Sequence, residues 1–272
     1  MVAYFRKQNN LFTILGALLG LAAAVLFWEQ LTASIPGYFR MFFLILPGAL
    51  GAILGRLYAS VWANKKLRQY NELLYVKVEP ARFLEVFAPL VQKAPKDNIA
   101  YVDGCNKLAY AHEALGQFDE AMGCISTLEP EKLKLHALGG IAMTCNQQLR
   151  LLLLQEKLEE AREVLQQLRN VAEVAMARAP MLGRNTNECV RLYENWLLVL
   201  EGQPADESYL EEEIRLSKNR IHKSEIQLVL AKACENRGDM VQADELRLEA
   251  LTTGKDLYAE RRARELLGAV SH

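Results

Sequence analysis

The chain has 272 residues, with 32 Lys and Arg against 33 Asp and Glu, a formal net charge of −1 and 51% hydrophobic residues. That balance excludes a basic nucleic-acid platform. Its five cysteines are odd in number and widely spaced, with no Cys-x-x-Cys, which argues for reduced, mostly buried thiols over a disulfide framework or a zinc site.

Two apolar stretches fill the first 62 residues, Leu11–Trp28 and about Phe39–Trp62, and nothing comparable follows. A helix rises about 1.5 Å per residue, so about 20 apolar residues cross a bilayer core. The first stretch carries no ionisable residue before Glu29. In the second, Arg40 and Arg56 bracket a fully apolar run, Met41–Gly55, and either can snorkel toward a head-group layer. Pro47 is expected to kink this helix. Aromatic residues stand where interface belts place them: Tyr4, Phe5, Trp28, Tyr38, Tyr58 and Trp62. A signal peptide fits poorly, because Val25–Trp28 continue the apolar run past Ala22–Ala24.

Residues 1–62 therefore read as a transmembrane helical hairpin with spans at about 11–28 and 39–62. Small residues recur at four-residue spacing on both spans: Gly16, Gly20 and Ala24 on the first, Gly51, Gly55 and Ala59 on the second, with Gly48 alongside. Such faces let helix backbones approach in lipid, so they are expected to pack within the hairpin or to join copies as a homo-oligomer. Arg6 and Lys7 precede the first span, and Lys65, Lys66 and Arg68 follow the second. The positive-inside rule then predicts a multi-pass protein of the plasma (inner) membrane of a bacterium, both termini and the large domain cytoplasmic.

From Asn64 onward apolar residues recur at three and four, without a convincing strand pattern. Residues 63–79 read as a juxtamembrane linker helix, with Val76–Glu79 the nearest thing to an extended piece. Helices are expected near 80–93, 98–115, 118–128, 131–155, 158–178, 186–201, 206–219, 222–237, 239–253 and 255–269. Asp97 or Asn98, and Asp206, are the expected N-caps, and Gly116, Pro130, Pro180 with Gly183, Gly202, Gly238 and Gly254 are the breaks. Short connections make this a stack of antiparallel hairpins.

A pattern repeats within it. Leu108-Ala109 precede Gly116, Phe118 and Ala121, followed by Ile125, Leu128 and Pro130; Leu230-Ala231 precede Gly238, Met240 and Ala243 at the same spacing. Leu158, Ala161, Leu165 and Leu168 repeat its second half, with Glu156 where Gly would stand. The Gly ends a first helix in a left-handed turn, and the Ala lets two helices close to contact. This resembles the tetratricopeptide repeat, well at about 108–130 and 230–250 and in part at 149–168. Intervals between the Gly positions are longer than the family's period.

The resemblance implies an all-α fold, a TPR-like α-solenoid over 80–272, with a concave surface that binds a protein or peptide partner. Groove candidates are Asn106, Tyr110, Asn146, Gln227 and Lys232, polar or aromatic positions on first helices. No phosphate-binding Gly loop, His-Glu-x-x-His or Gly-x-Ser-x-Gly appears, so no catalytic residue, cofactor or metal is expected. His112 shares a helix face with Cys105 and is expected to pack there. The acidic group at Asp206–Glu213 suits a helix N-terminus, and the last helix, with Arg261, Arg262 and Arg264, reads as a cap on the stack. The expected function is a membrane-tethered interaction scaffold. The alternative is a small structural subunit that packs on a larger membrane complex through its glycine-rich spans.

Overall fold

The computed structural model describes residues 5–27 and 37–269. Trp28, the predicted loop to Pro36 and the extreme termini lie outside the described residues. Among the described residues there are twelve α-helices and no strand. The chain divides into two units, residues 1–70 and 71–272.

The first unit holds α1 (Arg6–Leu26) and most of α2 (Gly37–Tyr75). Both are long and apolar enough to cross a membrane. Their large side chains point outward: Leu19 is 71% exposed and Val61 67%. Small residues hold the pair together. A Cβ at Gly16 would overlap the Gly51 carbonyl, one at Gly51 the Gly16 carbonyl, one at Gly20 the Pro47 carbonyl and one at Gly55 the Phe12 carbonyl. The glycine Cα–H groups are thus aimed at carbonyl oxygens of the facing helix, the geometry of weak Cα–H···O bonds. Gly48 faces a side chain instead, with Leu21 Cδ2 3.0 Å from where its Cβ would stand. Next to these glycines, Phe5 meets Trp62 and Phe12 meets Tyr58, each pair edge-to-face at 5.2 Å.

The helix α2 extends past the apolar stretch as far as Tyr75. The predicted linker helix over 63–79 is therefore cut short at Tyr75. Val78 adopts φ 56°, which helix cannot accommodate, and Pro80 opens the next helix at its first position.

The second unit is a succession of helical pairs: α3 (Pro80–Val91), α4 (Ile99–Ala114) with α5 (Phe118–Ile125), α6 (Ala137–Leu154) with α7 (Leu158–Arg178), α8 (Pro180–Leu200) with α9 (Glu207–Leu216), α10 (Arg220–Asn236) with α11 (Met240–Thr253), and α12 (Tyr258–Ala269). Asn98 caps α4 by accepting from the Ala100 amide, and Asp206 caps α9 by accepting from Tyr209. The turn residues share one conformation: Gly116, Glu156, Gly202 and Gly238 have φ of 70°, 56°, 69° and 86°. Glu156 takes the left-handed turn without being glycine.

Two expected boundaries differ. The single helix predicted over 131–155 is split, because Lys134 (φ 52°, ψ −113°) interrupts it and leaves a 3₁₀ segment, Pro130–His136, ahead of α6. The helix expected from 186 begins at Pro180, which suits a first-turn position. Gly183 lies inside it rather than ending a helix, because a Cβ there would collide with Met176.

The first helices α4, α6, α8 and α10 lie side by side in chain order. One core runs through the later pairs, from Leu149, Leu152 and Leu153 on α6 through Leu165 and Leu168 on α7 to Trp196 and Val199 on α8 and Ile226 and Leu230 on α10. Ala109 and Ala121, both fully buried, set the close contact of α4 with α5.

Candidate functional site

Counting back from each left-handed turn places equivalent residues on one face of the first helices. Ten positions before the turn stand Asn106, Asn146, Leu192 and Leu228; six before it stand Tyr110, Arg150, Trp196 and Lys232. Two cavities lie on this face.

The first, about 360 Å³, is lined by Tyr75, Asp103, Asn106, Tyr110, Asn146 and His222 among others. Asn106 is buried and uses its Nδ2 to donate to the Val102 carbonyl at 2.8 Å. Its Oδ1 and that of Asn146 are buried with no hydrogen-bond partner among the described residues. A buried acceptor left unmet costs about 1–3 kcal/mol, so at both positions water or a ligand in the cavity must supply the donor. Lys107 and Asp103 pair at 2.8 Å beside them. Burial, with the charge of Asp103 adding to it, pushes the Tyr75 hydroxyl up to about 12.

Under this cavity lies a charged cluster that joins three first helices. Arg150 Nε is 2.6 Å from Glu113 Oε1, an ion contact rather than an aligned hydrogen bond, and its Nη2 donates to Glu225. Gln147 Nε2 donates to Glu113 Oε2 at 2.6 Å. The Arg150 guanidinium also stacks 4.5 Å over the Tyr110 ring, whose hydroxyl accepts from Asn219 Nδ2 at 2.7 Å.

Two carboxylates share one guanidinium here, all of them buried. Burial opposes the Arg150 charge, but Glu113 and Glu225 outweigh it and hold the group protonated. Burial raises both carboxyls, against the opposing pull of Arg150, and Glu113 lifts Glu225 further, to about 8.

The second cavity, about 260 Å³, has a floor of Leu153, Leu154, Trp196, Leu200, Leu228 and Val229, with Lys232 and Glu235 on its rim. Over it lies α12, which presents Tyr258, Arg262 and Leu266.

The predicted groove residues are distributed accordingly. Asn106, Tyr110 and Asn146 come together in the first cavity, and Lys232 lines the second. Gln227 lies in neither: it is buried and ties α10 to α11 by donating to Glu249 at 2.9 Å. Among the described residues no cluster of His, Cys, Asp and Glu has the arrangement of a metal site. His112 meets Gln117 at 2.7 Å, and burial pushes the Cys105 thiol up to about 11, which makes it inert.

Sequence reasoning missed Glu113, Arg150 and Glu225. The signal lay in Arg150, which interrupts the run Leu149–Leu154 on a helix with no other charge after its first turn. No family model matches this chain, and no curated protein or solved structure matches it either.

Proposed function

We propose that this chain is a membrane-tethered protein–protein interaction scaffold, in which a two-span hairpin anchors a TPR-like α-solenoid on the cytoplasmic side of the plasma (inner) membrane. The observation that carries the reading is the matched pair Asn106 and Asn146, whose buried Oδ1 atoms lack donors at equivalent positions of successive first helices. The backbone N–H groups of an extended polypeptide supply such donors. The aromatic wall of Tyr75 and Tyr110, their rings 5.7 Å apart, gives a side chain of that segment an apolar contact.

The outward apolar surface of α1 and α2 supports the anchor, and the flanking Arg6, Lys7, Lys65, Lys66 and Arg68 support the orientation. Tethering raises the local concentration of whatever the groove binds. The glycine faces are occupied within the hairpin itself, which favours an anchor over an oligomerisation surface.

The test is affinity purification of the full chain in mild detergent, alongside an Asn106→Leu/Asn146→Leu double variant. The scaffold reading expects a protein that co-elutes with the wild type and is depleted at least tenfold from the variant. Identical co-eluting proteins in both would count against it.

A further inference from the structure

The hairpin carries positive charge and almost nothing to balance it. Residues 1–70 hold seven Lys and Arg against one acidic residue, Glu29. Arg6 and Lys7 precede the apolar stretches, and Lys65, Lys66 and Arg68 follow them. Arg56 stands elsewhere: it is inside α2, six residues before Trp62. At about 1.5 Å per residue, that sets it about 9 Å below the ring that Trp62 shares with Phe5 at the end of the hairpin.

A cavity of about 260 Å³ opens beside Arg56, lined by Ile53, Arg56, Leu57 and Ser60 of α2 and by Asn9 of α1. The four α2 residues are spaced by three and four, so they share one helix face. Ile53 and Leu57 are exposed, and the Asn9 Oδ1 is buried with no hydrogen-bond partner among the described residues.

A charge at this depth needs a counter-ion, and the described residues of the hairpin include no Asp or Glu. Glu29 follows the far end of α1, whose last residue, Leu26, lies about 26 Å along the axis from Asn9. The anion that a bilayer itself offers is a lipid phosphate, which a guanidinium meets through two parallel hydrogen bonds. A phosphodiester brings no donor for the Asn9 Oδ1, so that atom calls for a hydroxyl elsewhere on the head group. An ammonium head group would place a second cation beside Arg56, and a trimethylammonium offers no donor.

We infer that Asn9, Arg56 and Ser60 form a site for one anionic phospholipid whose head group carries a hydroxyl, of which phosphatidylglycerol is the simplest. Arg56 and Ser60 donate to the phosphodiester, Asn9 accepts from the head-group hydroxyl, and an acyl chain runs along Ile53 and Leu57. The site rests on the reading of α1 and α2 as membrane spans.

The experiment reconstitutes the full-length protein in nanodiscs of phosphatidylcholine with a minor fraction of phosphatidylglycerol. A parallel set uses phosphatidylmethanol, an anionic phosphodiester without a head-group hydroxyl. Lipids retained on transfer to detergent are counted by native mass spectrometry. The wild type is expected to retain phosphatidylglycerol at least fivefold above its share of the bilayer, and phosphatidylmethanol less. Arg56→Gln should remove the enrichment, and Asn9→Leu should make the two anionic lipids equal. Lys65→Gln/Lys66→Gln, which removes two charges outside the cavity, should leave it within twofold.

If Arg56→Gln does not insert, Arg56→Lys replaces it, with a partial loss expected; the wild-type comparison needs no variant. No enrichment of phosphatidylglycerol by the wild type would overturn the site, as would equal retention of the two anionic lipids. So would a loss from Lys65→Gln/Lys66→Gln as large as that from Arg56→Gln, which would mean general attraction to a charged surface. A protein retained through Arg56 in place of lipid would overturn it too. Alkaline extraction of the membranes comes first: a chain that washes off fails the anchor reading, whereas an inserted chain without lipid preference fails only this one.

Discussion

Asn219, at the start of α10, donates a 2.7 Å hydrogen bond to the hydroxyl of Tyr110 in the middle of α4, 109 residues earlier in the chain. That bond brings the first helix of the last pair against the first helix of the first. Tyr110 and Asn219 line the first cavity, and beneath them the Glu113–Arg150–Glu225 cluster reaches toward the second.

The cluster is expected to be asymmetric under mutation. Arg150→Ala leaves two buried carboxyls without a cation and should destabilise the helical domain by about 3–5 kcal/mol. Glu225→Gln keeps the shape of a carboxyl that burial already drives toward its neutral form and should change stability by less than about 1.5 kcal/mol. Denaturant titrations followed by circular dichroism compare the two; an Arg150→Ala variant as stable as wild type would show that the cluster is not held by this charge.

Stability should also fall as pH rises through neutrality. Glu225 is lifted from 4.5 to about 8 in the fold, so the folded chain keeps a proton that the unfolded chain releases. Its contribution is complete below the ordinary carboxylate range and is lost as pH climbs toward about 8. Between about pH 5 and pH 8 the melting temperature of the wild type should fall relative to Glu225→Gln. A rise relative to that variant would contradict the burial argument.

Turn chemistry gives a third expectation. Glu156 holds φ 56° without being glycine, so Glu156→Gly should stabilise by about 0.5–1 kcal/mol after loss of its exposed contact with Arg262. Gly238→Ala, at φ 86° with open space around its missing Cβ, should destabilise by about 1 kcal/mol through backbone strain alone. Destabilisation by Glu156→Gly, or stabilisation by Gly238→Ala, in thermal unfolding would refute the shared-turn account.

In the hairpin, Gly51→Ala sets a methyl group on the Gly16 carbonyl, whereas Gly48→Ala meets only the flexible tip of Leu21. The first should loosen the hairpin by about 1–3 kcal/mol and the second by much less. Thermal unfolding in detergent, followed by the fluorescence of Trp62 beside Phe5, separates them; equal effects would mean that the helices do not approach as closely as the backbone indicates.

Much of the helical layout was legible because it rests on local chemistry. Asn98 and Asp206 announce their caps, Gly116 and Gly238 their turns, and the apolar stretches their length. Pro180 misled because proline both ends and begins helices, and here the collision of any Cβ at Gly183 with Met176 marks close packing rather than a break. Lys134 gave no signal, since a strained left-handed residue of that type depends on the packing around it. The cluster was hidden for another reason: Glu113, Arg150 and Glu225 lie 37 to 112 residues apart, and their meeting follows from how the first helices stack. Asn106 and Asn146 were legible as polar positions on first helices, but the return of α12 to Leu115 and Phe118 left no local trace.

The central claim, an anchored domain that receives a partner on the face of its first helices, is tested most directly by photocrosslinking in intact membranes. A photoreactive residue is placed at Asn146 in the cavity, at Gln166 on the outer helix α7, and at Val61 on the exposed side of α2. The account predicts a crosslinked protein from position 146 and none from 166, with lipid as the main adduct at 61. A protein adduct at 61 with none at 146 would contradict it and make the hairpin the binding element.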